Sequence, residues 1–179
     1  MANSKGKGSK NERELCKWWE GWSGLEFNRV PASGGLRWKK TDNISSDIIC
    51  TDDRYSRRFP FSIETKFYKD INFEHLILGN KKQRIIEFWE QVIEDADRAN
   101  KIPLLFMRYN GMPKKTWFVA LENIIYNKAK KCGLVKTDKA IFKVETGEYK
   151  FIIINSNDLL NIDFKKFSIT CKKYRRKWD

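Results

Sequence analysis

Asp47, Glu64 and Lys66 are the residues whose types and spacing suit chemistry: two acids and a lysine on neighbouring predicted strands. Residues 44–50 and 59–67 read as strands joined by a polar turn around 52–58. A simple antiparallel hairpin turning there sets Asp47 opposite Glu64, Ile48 opposite Ile63 and Cys50 opposite Phe61. Side chains alternate along a strand, so Ile48, Cys50, Phe61 and Ile63 share an apolar face, while Asp47, Glu64 and Lys66 share the other. Two carboxylates facing each other across a ladder repel, and a divalent cation removes that cost. Hard oxygen donors with net negative charge suit Mg2+, with Mn2+ expected to substitute. Lys66 would polarise an attacking water or offset phosphate charge. The pattern therefore predicts metal-assisted phosphodiester hydrolysis. The competing reading is an exposed sheet face on which a lysine screens two surface acids.

Other elements must position these three residues. Ser9-Lys10-Asn11-Glu12 has the spacing of a helix capping box, and Leu15, Trp18, Trp19 and Trp22 follow at helical spacing. A helix over about 10–22 is expected, ended by Gly24, with the tryptophans in the core or at a dimer contact. Residues 28–45 are turn-rich and basic, a loop able to approach a phosphate backbone at Gly34 and Gly35. A long helix is expected over 80–100, strands over 102–109 and 116–121, a short helix near 122–131, and a hairpin of 140–145 with 148–154. The order implies an α/β fold with a mixed sheet flanked by helices. One domain over 1–179 is expected: a flexible basic arm (1–8), a core (9–121), an extension of that core (122–164) and a basic tail with interleaved aromatics (165–179).

Composition narrows the partners. Thirty-six Lys and Arg against 23 Asp and Glu leave a net charge of +13, which concentrates polyanions and points to nucleic acid. No run approaches the about 18 apolar residues of a membrane span, and residues 1–10 lack the apolar segment of a secretory signal. A cytoplasmic protein with no membrane partner is expected. Cys16, Cys50, Cys132 and Cys171 are too scattered for zinc or a disulfide scaffold and read as buried thiols. A single histidine, His75, argues against histidine-based hydrolysis, and the absence of a P-loop argues against an ATP-driven motor.

Four segments carry a family resemblance: Gly8-Ser-Lys-Asn-Glu12-Arg13-Glu14-Leu15, Arg29-Val-Pro-Ala-Ser33-Gly34, Ser46-Asp47-Ile48-Ile49, and Ile63-Glu64-Thr65-Lys66. In that order they resemble the archaeal-type Holliday-junction resolvases, some phage-borne, of the PD-(D/E)XK nuclease superfamily. The resemblance covers roughly residues 5–109, and Ser46 stands where the superfamily's name has proline. It implies a restriction-endonuclease-like core in which Asp47, Glu64, the Thr65 carbonyl and Glu12 hold the metal. Lys66 would activate the water, and Gln91, or its competitor Gln83, would face the site from a helix. Arg13, Arg29 and Ser33 would meet DNA phosphates near the scissile bond, Ser33 counting also with the catalytic set. Lys7, Lys10, Arg37, Lys39 and Lys40 are the further cations expected on DNA.

The resulting expectation is a Mg2+-dependent, structure-selective endonuclease cutting branched DNA to leave 5′-phosphates, a homodimer matched to a two-fold junction. The alternatives are another superfamily nuclease, restriction-like or repair, and a non-catalytic nucleic-acid-binding module with this fold.

Overall fold

The computed structural model describes residues 4–30, 46–79, 83–133 and 141–172. Along the chain come α1 (Ser4–Ser23), β1 (Phe27–Arg29), β2 (Ile48–Cys50), β3 (Phe61–Tyr68), α2 (Glu74–Leu78) and α3 (Arg84–Arg98). They are followed by β4 (Ile102–Tyr109), β5 (Phe118–Glu122), α4 (Asn123–Lys131), β6 (Phe142–Glu145), β7 (Lys150–Asn155), α5 (Ser156–Leu159) and α6 (Phe164–Lys172). The seven strands make one sheet in the order β1-β2-β3-β4-β5-β7-β6. Among the described residues only β3 and β4 pair in parallel, across a connection that carries α2 and α3; the other neighbours are antiparallel. This is the mixed, helix-flanked α/β sheet expected from the sequence.

The alternation of β3 explains why both faces must be covered. Phe61 and Ile63 enter one core with Leu104, Phe106, Val119, Leu121, Ile152 and Ile154, and α1, α4 and α6 cover it. Leu105, Met107, Ala120, Phe151 and Ile153 face the other way, under Ile85, Trp89 and Val92 of α3. Trp89 stacks on Phe151 at 4.6 Å between ring centres. Ile85, Trp89, Val92 and Ala96 recur at helical spacing, as the sequence reading of this helix anticipated.

Several expectations change. The first helix starts at Ser4 rather than near residue 10, so residues 4–8 are not a flexible arm. Gly6 and Gly8 disfavour helix locally, but the following turns pack on the sheet, where Glu14 pairs with Arg108 of β4. Ser9 and Glu12 consequently lie mid-helix and form no cap; both instead accept hydrogen bonds from Arg29. Residues 28 and 29 leave the anticipated loop and, with Phe27, form a strand on β2. Trp18 and Trp19 are buried, and Trp22 packs on Phe164 and Phe167, so these rings serve the monomer's core.

The basic tail needs the same correction as far as residue 172. Phe164, Phe167, Ser168 and Cys171 of α6 are buried, and Lys172 lies over the Tyr55 ring at 4.0 Å. Residues 1–3 of the arm, the loop over 31–45 and the run Arg175-Arg176-Lys177 lie outside the described residues. All four cysteines are buried and free. Burial pushes the thiols of Cys16 and Cys171 up to about 12, the inert state expected of thiols in apolar surroundings.

Candidate active site

The expected hairpin register holds: Ile48 pairs with Ile63. The β2–β3 ladder is short, and its end shapes the site. The Asp47 N–H donates to the Ile63 carbonyl at 3.0 Å, and the Asp47 carbonyl accepts from Val30 N–H at 2.8 Å. Beyond that point β3 has no strand partner on this side among the described residues, and the Asp47 carboxylate accepts the Thr65 N–H at 2.9 Å. A carboxylate used as a ladder cap is thereby fixed beside Glu64.

Glu64 and Lys66 project toward α3, as strand alternation requires. Glu64 Oε1 accepts from Lys66 Nζ at 2.7 Å and from Gln91 Nε2 at 3.2 Å, and Lys66 Nζ also donates to Gln91 Oε1 at 2.9 Å. The three side chains thus close a triangle, with Lys66 seated 5.7 Å from the centre of the Phe88 ring. Gln91, rather than Gln83 at the start of α3, meets Glu64.

Burial governs the protonation of the pair. Glu64 is 4% exposed, and its carboxyl is raised to about 7 by burial first and by the neighbouring Asp47 second, with Lys66 opposing. Asp47 is also raised, by burial, against the opposing Thr65 N–H and Lys66. Both shifts express one fact: two carboxylates share an enclosed space with one ammonium.

Glu12 comes near enough for its charge to raise Asp47, but its Oε2 is engaged by Arg29 at 3.0 Å. Among the described residues no three or more His, Cys, Asp or Glu side chains gather as a ligand set. Asp47 and Glu64 therefore stand as a pair, with Glu12 held to one side. Arg13 is exposed on α1. Lys7 and Lys10 line a cavity with Arg108 and Lys114 on the flank of α1. Ser33, Arg37, Lys39 and Lys40 lie outside the described residues.

Two supporting residues escaped the sequence reading. Asn11, 3% exposed, donates to Thr65 Oγ1 at 2.8 Å and accepts from Trp117 Nε1 at 2.9 Å, tying α1 to the strand that carries Glu64. The available signal was a polar residue on the apolar stripe of Leu15, Trp18 and Trp22. Asp95, one turn after Gln91, is buried, pairs with Arg98 and bears electrostatically on Glu64. Asn11→Ala should cost about 2 kcal/mol, because it leaves the Trp117 N–H unpaired inside the core. Urea unfolding would read this as a lower midpoint at unchanged slope; a change within experimental scatter would show that the clamp is incidental.

Residues 3–169 match the family model described as "Phage putative PDDEXK endonuclease". Protein D14 of Escherichia phage T5 is 25% identical over 122 residues, which are 68% of this chain and 72% of that protein. Hjc of Archaeoglobus fulgidus, a Holliday junction resolvase from an archaeal hyperthermophile, covers 90% of this chain and 99% of its own at 14% identity, with a TM-score of 0.38. The family match reaches well past residue 109, through the strands and helices that complete the sheet.

Proposed function

Since the chain belongs to this phage PDDEXK endonuclease family, we propose that it hydrolyses phosphodiester bonds in branched DNA, four-way junctions above all, with Mg2+ as cofactor. The observation that carries the reading is the enclosed pair Asp47 and Glu64 with Lys66 and Gln91 bonded to it. Two crowded carboxylates with one compensating ammonium form a site of hard oxygen donors in excess negative charge, which fits a small divalent cation. Asp47, Glu64 and the Thr65 carbonyl would hold it, with Mn2+ able to replace Mg2+. When bound, such an ion supplies charge neutralisation at the phosphate and acidifies water.

The chain's own residues do the rest. Lys66 has three N–H donors; two go to Glu64 and Gln91, and the third would serve the attacking water or a phosphate oxygen. Gln91 holds the ammonium in place through its amide oxygen and holds Glu64 through its amide nitrogen. Arg29, oriented by Ser9 and Glu12, supplies a cation for the phosphate backbone, with Arg13, Lys7 and Lys10 along the same helix. Ser33, Arg37, Lys39 and Lys40 belong to the same DNA-binding expectation. The products carry 5′-phosphates, and a homodimer would place two such sites on a two-fold substrate. No described helix is long and apolar enough to cross a membrane; action on DNA in the cytoplasm of a phage host accords with the phage relative.

Labelled four-way junction and linear duplex of matching sequence test this side by side, with Mg2+ or with EDTA. Paired nicks in the junction alone, dependent on metal, are expected. Equal cutting of duplex would leave a nuclease of restriction-like or repair type. Tight binding with no cleavage in Mg2+ or Mn2+ would leave a binding module.

A further inference from the structure

The face of β3 that carries Glu64 and Lys66 continues to Tyr68. At that point the protein opens a cavity of about 300 Å³, walled by Tyr68, Arg84 and Phe88, with Asp70, Asn72 and His75 at its polar edge. The Tyr68 and Phe88 rings lie 4.9 Å apart at 31°, and the Arg84 guanidinium carbon lies 5.6 Å from the Tyr68 ring centre. Three planar groups are thus in contact, and the last of them, Arg84, is exposed. Phe88 joins this cavity to the catalytic residues, because Lys66 Nζ sits over the same ring.

From this juxtaposition, and resting on the nuclease reading above, we propose that the Tyr68–Arg84–Phe88 cavity binds one unstacked nucleobase beside the scissile phosphate. Aromatic rings and guanidinium planes are the surfaces on which unpaired bases stack. His75, Asn72 and Asp70 offer both donors and acceptors to a base edge. One alternation along a strand separates Lys66 from Tyr68, a distance of about 7 Å, comparable with the spacing of successive phosphates. A phosphate at Lys66 therefore brings its own nucleotide to the cavity. A base pair at a branch point can lack a stacking neighbour on one side, so extruding its base costs less than in intact duplex, and the cavity favours branch points by that difference. Selection then comes from this cavity, and hydrolysis from Asp47, Glu64 and Lys66.

The test uses the full chain without divalent metal, so that binding is read apart from cleavage. Four-way junctions carry 2-aminopurine at each position flanking the branch in turn. Stacking in the cavity should quench its fluorescence at one position, and Tyr68→Ala or Arg84→Ala should abolish the quench. Tyr68→Ala should also weaken junction binding about tenfold and leave intact-duplex affinity unchanged, with Tyr68→Phe restoring both signals. No quench at any position, or an equal loss of affinity for junction and duplex, would overturn the proposal. Should Tyr68→Ala fail to fold, the exposed Arg84→Ala carries the same test. A chain that cleaves no DNA in Mg2+ yet shows the quench would sink the nuclease reading and leave the base cavity standing. Cleavage without the quench would do the reverse.

Discussion

Lys66→Ala should lower single-turnover cleavage of a branched DNA by about three orders of magnitude while junction binding stays within a few-fold. The size follows from what the side chain does. Lys66 is the ammonium beside the enclosed acids, bonded to Glu64 and to Gln91. Its removal takes away a donor for the attacking water and lets the carboxyls of Asp47 and Glu64 rise further, because Lys66 is among the groups that hold both down. Residual activity should accordingly recover toward higher pH. Arginine should not rescue it, since a planar fork cannot occupy the place of a compact ammonium between a carboxylate and an amide. Asp47→Asn should show a loss of the same order and also lose any thermal stabilisation by Mg2+. Quenched-flow cleavage beside a filter-binding assay separates the two effects. If Lys66→Ala cuts within tenfold of the native chain, the lysine only screens its neighbours.

Without metal, Glu64→Gln should make the protein more stable at pH 8, a gain in stability from removing a residue expected to be essential. The folded carboxyl at about 7 stands above its ordinary 4.5, so the folded state holds a proton that the unfolded chain releases. Its contribution is fully present below about pH 4.5, declines as pH rises and is lost above about 7, a difference of about 3 kcal/mol. The native chain should therefore melt at higher temperature at pH 5 than at pH 8. Glu64→Gln keeps the hydrogen-bonding shape without the charge, and should raise the pH 8 midpoint by about 8 °C while flattening the pH dependence. Mg2+ should reverse the order, stabilising the native chain and not the variant. A variant that melts lower at both pH values without metal would mean that the Lys66–Glu64 ion pair outweighs the crowding of the two acids.

The site was legible where strand periodicity alone decided it. Alternation and a simple hairpin register are enough to put Asp47, Glu64 and Lys66 on one face, and Ile48 opposite Ile63 is the pairing found. Gln91 could be named but not separated from Gln83 until the rotation of α3 against β3 was known. Other features failed for identifiable reasons. The capping-box pattern at Ser9 and Glu12 is local, and it lost to a long-range partner, Arg29, that no local pattern contains. The apolar positions of α6 recur at helical spacing, but the lysines between them gave the segment the look of a solvated tail. The edge strand β1 has only three residues, too few for alternation to register. Asn11 and Asp95 owe their importance to what lies across the sheet from them, and a linear reading sees them as ordinary polar residues.

The cluster that roofs one face of the sheet joins α1 to α6. Trp22 donates to the Ile162 carbonyl at 2.9 Å and packs against Phe164 and Phe167. On a ribosome, the tryptophans of α1 emerge more than a hundred residues before the rings that cover them, at synthesis speeds of about 5–20 residues per second. For those seconds the nascent chain holds exposed indoles and an unfinished sheet, a window in which chaperones or aggregation compete for it. The same delay leaves the sheet face over α1 open until translation has passed α6.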